Sequence, residues 1–289
     1  MSANFEPETR EPRAQGREPI GVFDSGVGGL SVLREIRREL PAEDLIYVAD
    51  SGYAPYGDRP DDYVRERAVA VMEFLRSQGA KAVVVACNTA TGIAVDALRA
   101  RYDVPIVAIE PAVKPAAAQT RSGVVGVLAT TQTLAGQKFA RLVRTHAGDV
   151  EVLTQACPGL VEQVEAGALT AEATRSLVEQ YLSPLLDKGA DTIVLGCTHY
   201  PFVGELIRQV AGPGVTIIDA AIPVARELRR RLQANDLLAP DARPGTETFW
   251  TTGSTDHVQA VIAQLWAGNV EVRPVPPVAK REERRARAR

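Results

Sequence analysis

The sequence predicts an α/β protein: two pseudo-symmetric domains with mostly parallel sheets flanked by helices, and an active site in the cleft between them. Three observations lead there. Short apolar runs rich in Val and Ile alternate with helical patterns along the chain, which is the pattern of parallel strands joined by helical crossovers. The segment from Gly79 to Thr89 (GAKAVVVACNT) aligns without a gap on Gly189 to His199 (GADTIVLGCTH), an offset of 110 residues, and Gly21 to Ser25 more weakly echoes Gly126 to Thr130. In both copies of the longer repeat a Cys, Cys87 or Cys197, stands at the C-terminal end of the strand.

Taken in order, Ile20–Phe23 reads as a strand and Leu30–Leu40 as a helix. Leu45–Val48 is the second strand, and Tyr63–Gln78 is a helix stopped by Gly79. Ala82–Ala86 is apolar throughout, as a strand buried on both faces must be. Val104–Ile109, Val124–Leu128, Val150–Thr154, Thr192–Leu195 and Val215–Ile218 are further strands, with helices between them. Ligands of open α/β sheets bind outside the carboxyl ends of the strands. Two such halves facing each other there make a cleft with one thiol on each wall.

Composition narrows the function. The 289 residues suit two domains and are 45% hydrophobic and 24% charged, as in globular enzymes. A net charge of −3 gives no pull toward nucleic acid. No apolar run nears the roughly 20 residues that cross a bilayer. Residues Met1 to Arg17 are polar and lack the apolar core of a secretory signal, so they read as a disordered extension. Lys280 to Arg289 carry six basic and two acidic residues and read as a solvated tail. Three cysteines form neither a disulfide scaffold nor a zinc-site spacing, and free thiols fit a reducing cytoplasm.

Several residues around the two thiols carry chemistry. A thiol titrates near ~8.5, so neighbours can tune it to act as base or acid. Cys157 has no matched partner and reads as structural. Asp24-Ser25-Gly26-Val27-Gly28-Gly29 follows the first strand and opens a helix. It lacks both the dinucleotide and the P-loop fingerprints; its glycines read as letting a small carboxylate reach backbone N–H groups at the helix N-terminus. Asp24 either orients a thiol or caps that helix. Asn88 and Thr89 follow Cys87, and Thr198 and His199 follow Cys197; all offer hydrogen-bonding groups to a carboxylate or amine. His146 and His257 read as surface or capping positions. Glu165, in the helical stretch Leu160–Ala166, reads by itself as a solvated acid.

Four segments, from Gly21 to Leu30 (GVFDSGVGGL), Pro55 to Gly57 (PYG), Ala86 to Ala90 (ACNTA) and Gly196 to Pro201 (GCTHYP), together resemble the signature set of glutamate racemases, in order and spacing, within a resemblance reaching from about Pro19 to the mid-260s. The resemblance implies a second domain inserted into the first: 18–111 plus 221–269 as domain one, 112–220 as domain two, 1–17 as an extension and 270–289 as a basic tail. It implies that Cys87 deprotonates D-glutamate and Cys197 L-glutamate, assisted by Asp24, His199 and Glu165. Ser25, Tyr56, Gly57, Asn88, Thr89, Thr130 and Thr198 match substrate contacts, joined by Asp24 and His199. Thr91 and Glu162 stand where the family more often has Ser and Pro, and Glu162 adds a second acid near Glu165.

The activity so implied is cofactor-independent and needs no metal, nucleic acid or membrane. It interconverts the glutamate enantiomers in the cytoplasm and supplies D-glutamate for peptidoglycan; whether the chain forms a homodimer stays open. One thiolate removes the α-proton while the opposite thiol returns one. The alternatives are an aspartate or hydantoin racemase with the same paired thiols, a non-catalytic binding or regulatory protein, and a thiol redox protein. The last needs the two Cα atoms within about 7 Å.

Overall fold

The structure, a computed structural model, describes residues 17–240 and 243–276. The first stretch runs β1 (Ile20–Asp24), α1 (Leu30–Glu39), β2 (Leu45–Ala49), α2 (Asp61–Ser77), β3 (Ala82–Val85), α3 (Asn88–Arg101) and β4 (Ile106–Ala108). Next come α4 (Val113–Gln119), β5 (Val124–Ala129), α5 (Thr131–Ala135), α6 (Gln137–His146), β6 (Glu151–Ala156), α7 (Leu160–Glu165), α8 (Glu172–Asp187), β7 (Thr192–Leu195), α9 (Gly204–Ala211) and β8 (Thr216–Ile218). The chain closes with α10 (Ala221–Ala234), β9 (Glu247–Thr251), α11 (Thr255–Trp266) and β10 (Val272–Pro274).

Two sheets result, both parallel throughout. One has six strands in the order β10-β9-β2-β1-β3-β4; the other has four in the order β6-β5-β7-β8. Within each half the first four strands follow one winding, second-first-third-fourth. The sequence repeat is therefore a repeat of topology: β3 and β7 are equivalent, as are β1 and β5. Every residue of β1, β2, β3 and β7 is buried, because helices cover both faces, and this is why these strands read as unbroken apolar runs.

The Gly-Ala that opens each repeat also has one structural meaning. Gly79 and Gly189 have φ of +81° and +87°, the left-handed conformation that ends α2 and α8. In each, the next residue's N–H returns to a carbonyl five residues back, Ala80 to Leu75 and Ala190 to Leu185, both at 3.1 Å, closing a Schellman motif. The position after Gly-Ala is anchored in both halves, though by opposite charges. Lys81 pairs with Glu43 at 2.6 Å, both nearly fully buried. Asp191 takes hydrogen bonds from Thr120 Oγ1, Arg121 N, Ser122 N and Thr192 Oγ1 at 2.6, 2.8, 2.9 and 3.0 Å.

The sequence expectation needs correction at the C-terminal end. β9 and β10 were not foreseen, and the tail expected from residue 270 begins later. Val270 and Val272 are buried, and Val272–Pro274 pairs with β9. Both strands carry Thr, Glu, Arg or Pro, residues that weaken a strand signal, and Pro is tolerated in β10 because it is a sheet edge. At the other end Arg17, expected within the extension, donates from Nη2 to Pro240 O at 3.3 Å. Residues 1–16 and the basic cluster Lys280 to Arg289 lie outside the described residues. Among the described residues, no helix is long and apolar enough to cross a membrane. α10 packs on α1, so the chain has returned to the six-stranded half by Ala221.

Asp191 supports a stability prediction. Burial alone raises its pKa, but the hydrogen bonds from Thr120, Arg121, Ser122 and Thr192 outweigh that and hold it well below the usual carboxylate range. A depressed folded-state pKa contributes stability above the unfolded value, near ~3.9, and loses it as pH falls through the folded value. Asp191→Ala is expected to cost about 1 kcal/mol at pH 7 in urea unfolding. The gap from wild type should narrow once the pH drops below about 4.

Candidate active site

The switch point of each half, where the strand order reverses between its first and third strands, supplies the site. β1 ends at Asp24 and β3 leads into Cys87; β5 leads into Thr130 and β7 into Cys197 through Gly196. These four carboxyl ends converge on one pocket, the place where open α/β sheets bind ligands. Cys87, Asn88, Thr89, Ser25, Tyr56 and Gly57 line it from the six-stranded half. Cys197, Thr198, His199 and Thr130 line it from the four-stranded half. Asp24 and Glu165 stand behind this lining and act on it through hydrogen bonds.

The two walls share a fold but not an electrostatic environment. Cys87 is the N-cap of α3: its sulfur accepts from Ala90 N at 3.5 Å and its thiol faces Ser25 Oγ at 3.8 Å. A helix N-terminus favours a thiolate. Burial together with the nearby Asp24 charge outweighs that, pushing the Cys87 thiol far up and keeping it protonated. Asp24 is itself fully buried, and burial lifts it above the usual carboxylate range.

Cys197 has a cation beside it. Its Sγ lies 3.6 Å from His199 Nδ1, and His199 Nε2 lies 2.6 Å from Glu165 Oε1. Burial would lower the imidazole pKa, but the hydrogen bonds to Cys197 and Glu165 prevail and hold it well above its ordinary value. His199 is thus an imidazolium whose two N–H groups point at a sulfur and a carboxylate. Glu165, not Glu162, occupies this position; Glu162 is exposed on the same helix.

The glycine loop is used differently from the sequence expectation. Its backbone N–H groups meet the protein's own carboxylates: Val27 N donates to Glu165 Oε1 at 2.7 Å and Gly29 N to Asp24 Oδ2 at 2.9 Å. A Cβ on Gly26 would collide with the Glu165 carboxylate, and one on Gly28 with the His199 ring. The glycines let Glu165 and His199 of the opposite half approach the backbone. Asp24 therefore caps the turn into α1 and also accepts from Thr198 Oγ1 across the cleft at 3.3 Å.

Other groups in the pocket suit a polar ligand. Asn88 is buried, and its amide O and N have no hydrogen-bond partner among the described residues. Thr89, Thr130 and Thr133 hydroxyls bond one another at 2.9 to 3.3 Å. The sequence reading missed Thr133, although its spacing from Thr130, an N-cap and its third helical residue, is a capping signature. It also missed Asp50, which directly follows β2 beside Asp24 at the end of β1. Asp50 accepts from the Tyr56 hydroxyl, from Arg67 Nε and Nη2 at 3.0 and 2.8 Å, and from Thr252 Oγ1 at 2.8 Å, so it holds Tyr56 in the wall. Cys157 is buried with its thiol on Gln155 O at 3.4 Å, and burial pushes it up to about 12, in keeping with a structural role. His257 caps the end of α7, donating to Glu165 O at 3.1 Å.

The Asp/Glu/Hydantoin racemase family model matches residues 20–228, which include both thiols and all of the surrounding residues just described except those contributed after α10. The chain belongs to that family. A glutamate racemase from Methylococcus capsulatus is 57% identical over 258 residues, covering 89% of this chain and 95% of the relative. The crystal structure of a glutamate racemase isoform from Bacillus anthracis superposes with a TM-score of 0.83 at 34% identity, covering 92% of this chain and all of that one. Escherichia coli glutamate racemase, in complex with L-glutamate and an activator, gives 0.79 at 33% identity over 89% of this chain and 97% of that one. For a chain of this family, a pocket between two duplicated halves with a thiol on each side is the feature that organises all the others.

Gly28→Ala tests how tightly the His199 ring is held. The added methyl must displace the ring from Cys197 and Glu165. In a 15N NMR titration of wild type, His199 is expected to remain protonated well above pH 6.5. In Gly28→Ala its midpoint should fall, because the contacts that raise it are broken while burial remains.

Proposed function

We propose that this chain is a glutamate racemase that interconverts L- and D-glutamate with Cys87 and Cys197 as a paired acid and base. The observation that carries the reading is the placement of two sulfurs on opposite walls of one pocket, each just past the third strand of its half. Inverting a carbon requires a proton to leave one face and another to arrive on the opposite face. Two groups on one wall do not achieve that.

The surroundings of the two thiols support a direction for each half-reaction. Cys87 is held as a thiol, ready to donate. Cys197 has the His199 imidazolium beside it, which compensates negative charge on the sulfur. In this state Cys197 Sγ takes the Cα proton of L-glutamate and Cys87 Sγ–H delivers its proton to the other face, releasing D-glutamate. The enzyme is then left with the proton on Cys197 and the thiolate on Cys87, the state that accepts D-glutamate. Return to the first state occurs by the reverse reaction or by exchange with solvent. Asp24 stands beside Cys87 as His199 and Glu165 stand beside Cys197.

Charge that develops at the substrate carboxylate meets fixed donors. The candidates are Asn88 Nδ2 with its unused hydrogens, the hydroxyls of Thr89, Thr130 and Thr198, and the N-terminal end of α3. Tyr56 and Gly57 close the same wall. No electron sink beyond these donors enters the scheme. The same proposal includes a cytoplasmic location and the passage of D-glutamate to peptidoglycan synthesis.

The test is to incubate the chain with L-glutamate in D2O, with a chelator and no added cofactor, and to analyse by chiral chromatography with mass detection. D-glutamate carrying one deuterium at Cα is the expected product. Cys87→Ser and Cys197→Ser are each expected to lose at least ~10²-fold in turnover, the usual scale for a lost general acid or base. Near-wild-type turnover in either variant would overturn the two-thiol scheme; turnover of aspartate in place of glutamate would redirect the substrate.

A further inference from the structure

The Glu165 carboxylate serves three groups at once: His199 Nε2 at 2.6 Å, Val27 N at 2.7 Å and, from its other oxygen, Ser51 Oγ at 3.4 Å. Its place depends on the last turn of α7, a helix of only six residues. The backbone N–H groups of Ala166, Ala168 and Gly167 close onto the carbonyls of Glu162, Gln163 and Val164, which leaves the Glu165 carbonyl, last of the helix, to a partner from outside the turn. Two of the carbonyls at this end are taken by side chains of α11. His257 Nε2 donates to Glu165 O at 3.1 Å, and Gln264 Nε2 donates to Gly167 O at 3.2 Å. His257 and Gln264 are seven residues apart, two turns along one face of α11. Between them the buried Val261 reaches toward Gly167, whose missing Cβ would lie 2.7 Å from Gln264 Oε1 and 4.0 Å from Val261 Cγ2. Glycine at 167 lets α11 lie directly against the turn.

The position of α11 in the chain matters. It lies between β9 and β10 of the six-stranded sheet, whereas α7 belongs to the four-stranded half. The two bonds therefore cross the interface, as the Glu165–Val27 and Asp24–Thr198 bonds do. His257 reaches Glu165 from behind, through its own carbonyl, and Gln264 fixes the turn two residues on through Gly167 O, while Val27 holds the Glu165 side chain from the front.

We propose that His257 and Gln264 are positioning residues that act through Glu165, setting its carboxylate against His199 and so serving the Cys197 wall of the pocket and not the Cys87 wall. Neither touches a reacting atom. The inference rests on the two-thiol reading above and adds to it a dependence of one wall on a helix of the opposite half.

The test uses the full chain with α-deuterated L- and D-glutamate. His257→Ala is expected to lower kcat about 10-fold with KM changed less than about 3-fold, in line with the cost of a misplaced group remote from the chemistry. His257→Gln, which returns an N–H donor, should recover most of the loss, and Gln264→Glu, which removes one at constant shape, should reproduce it in part. The wall-specific signature is isotopic. Proton transfer to Cys197 becomes more rate-limiting, so the primary isotope effect on kcat/KM should grow for α-deuterated L-glutamate and shrink for the D-isomer. In a Glu165→Gln background, His257→Ala should cost less than 3-fold, because the group it positions has already been altered.

An unchanged kcat in His257→Ala overturns the inference. So does an equal change of both isotope effects, or an undiminished loss in the Glu165→Gln background, either of which marks a merely structural staple. Those outcomes leave the functional reading intact if wild type racemises glutamate with Cα exchange. A wild-type chain that leaves glutamate unchanged overturns that reading, and this inference with it.

Discussion

Glu165 Oε1 accepts from His199 Nε2 and from Val27 N, one donor in each half of the molecule. That single oxygen holds the four-stranded half against the glycine loop of the six-stranded half, and it fixes the imidazolium that faces Cys197. Both donors sit where water is largely excluded, so each charge-assisted bond is stronger than at a surface. The glycine loop follows from it: Gly26 and Gly28 leave the room that Glu165 and His199 occupy. So does the closeness of the walls, because the Asp24–Thr198 bond spans the same seam.

The duplication places two thiols symmetrically, and the side chains around them then break the symmetry. At Cys87 the companion is a buried carboxylate, which adds to burial in keeping the proton on sulfur. At Cys197 it is a buried cation backed by a carboxylate. A reaction that treats two mirror-image substrates does not require mirror-image machinery. It requires that one side hold a proton while the other side can take one, and in the proposed reaction the different surroundings of the two thiols, at equivalent positions of one fold, serve those two demands.

Much of this was legible in the sequence because parallel strands covered on both faces leave unbroken apolar runs, and because the repeat around Cys87 and Cys197 keeps its register over eleven residues. The illegible parts have physical reasons. β9 and β10 lie at one side of the sheet with polar residues and a proline, so their pairing is decided by tertiary contact. Glu165 has the local pattern of a solvated helix acid; only the resemblance pointed to it, and its partner His199 is 34 residues away. Asp50 is joined to Arg67 and Thr252 by hydrogen bonds that no local spacing announces. The glycine loop was read as open to a ligand because sequence shows that a Cβ is missing without showing what fills the space.

The ring of Thr89, Thr130 and Thr133 hydroxyls joins the two halves at the pocket wall. Each hydroxyl is a rotor with one hydrogen and two lone pairs, and in this ring either member of a pair can be the donor. Turning one hydrogen reverses the polarity of that stretch of wall while every heavy atom stays in place. A surface of this kind presents donor or acceptor on demand. A site that must hold both hands of one molecule can thus exchange their hydrogen-bonding demands by rotating protons, without a second backbone conformation.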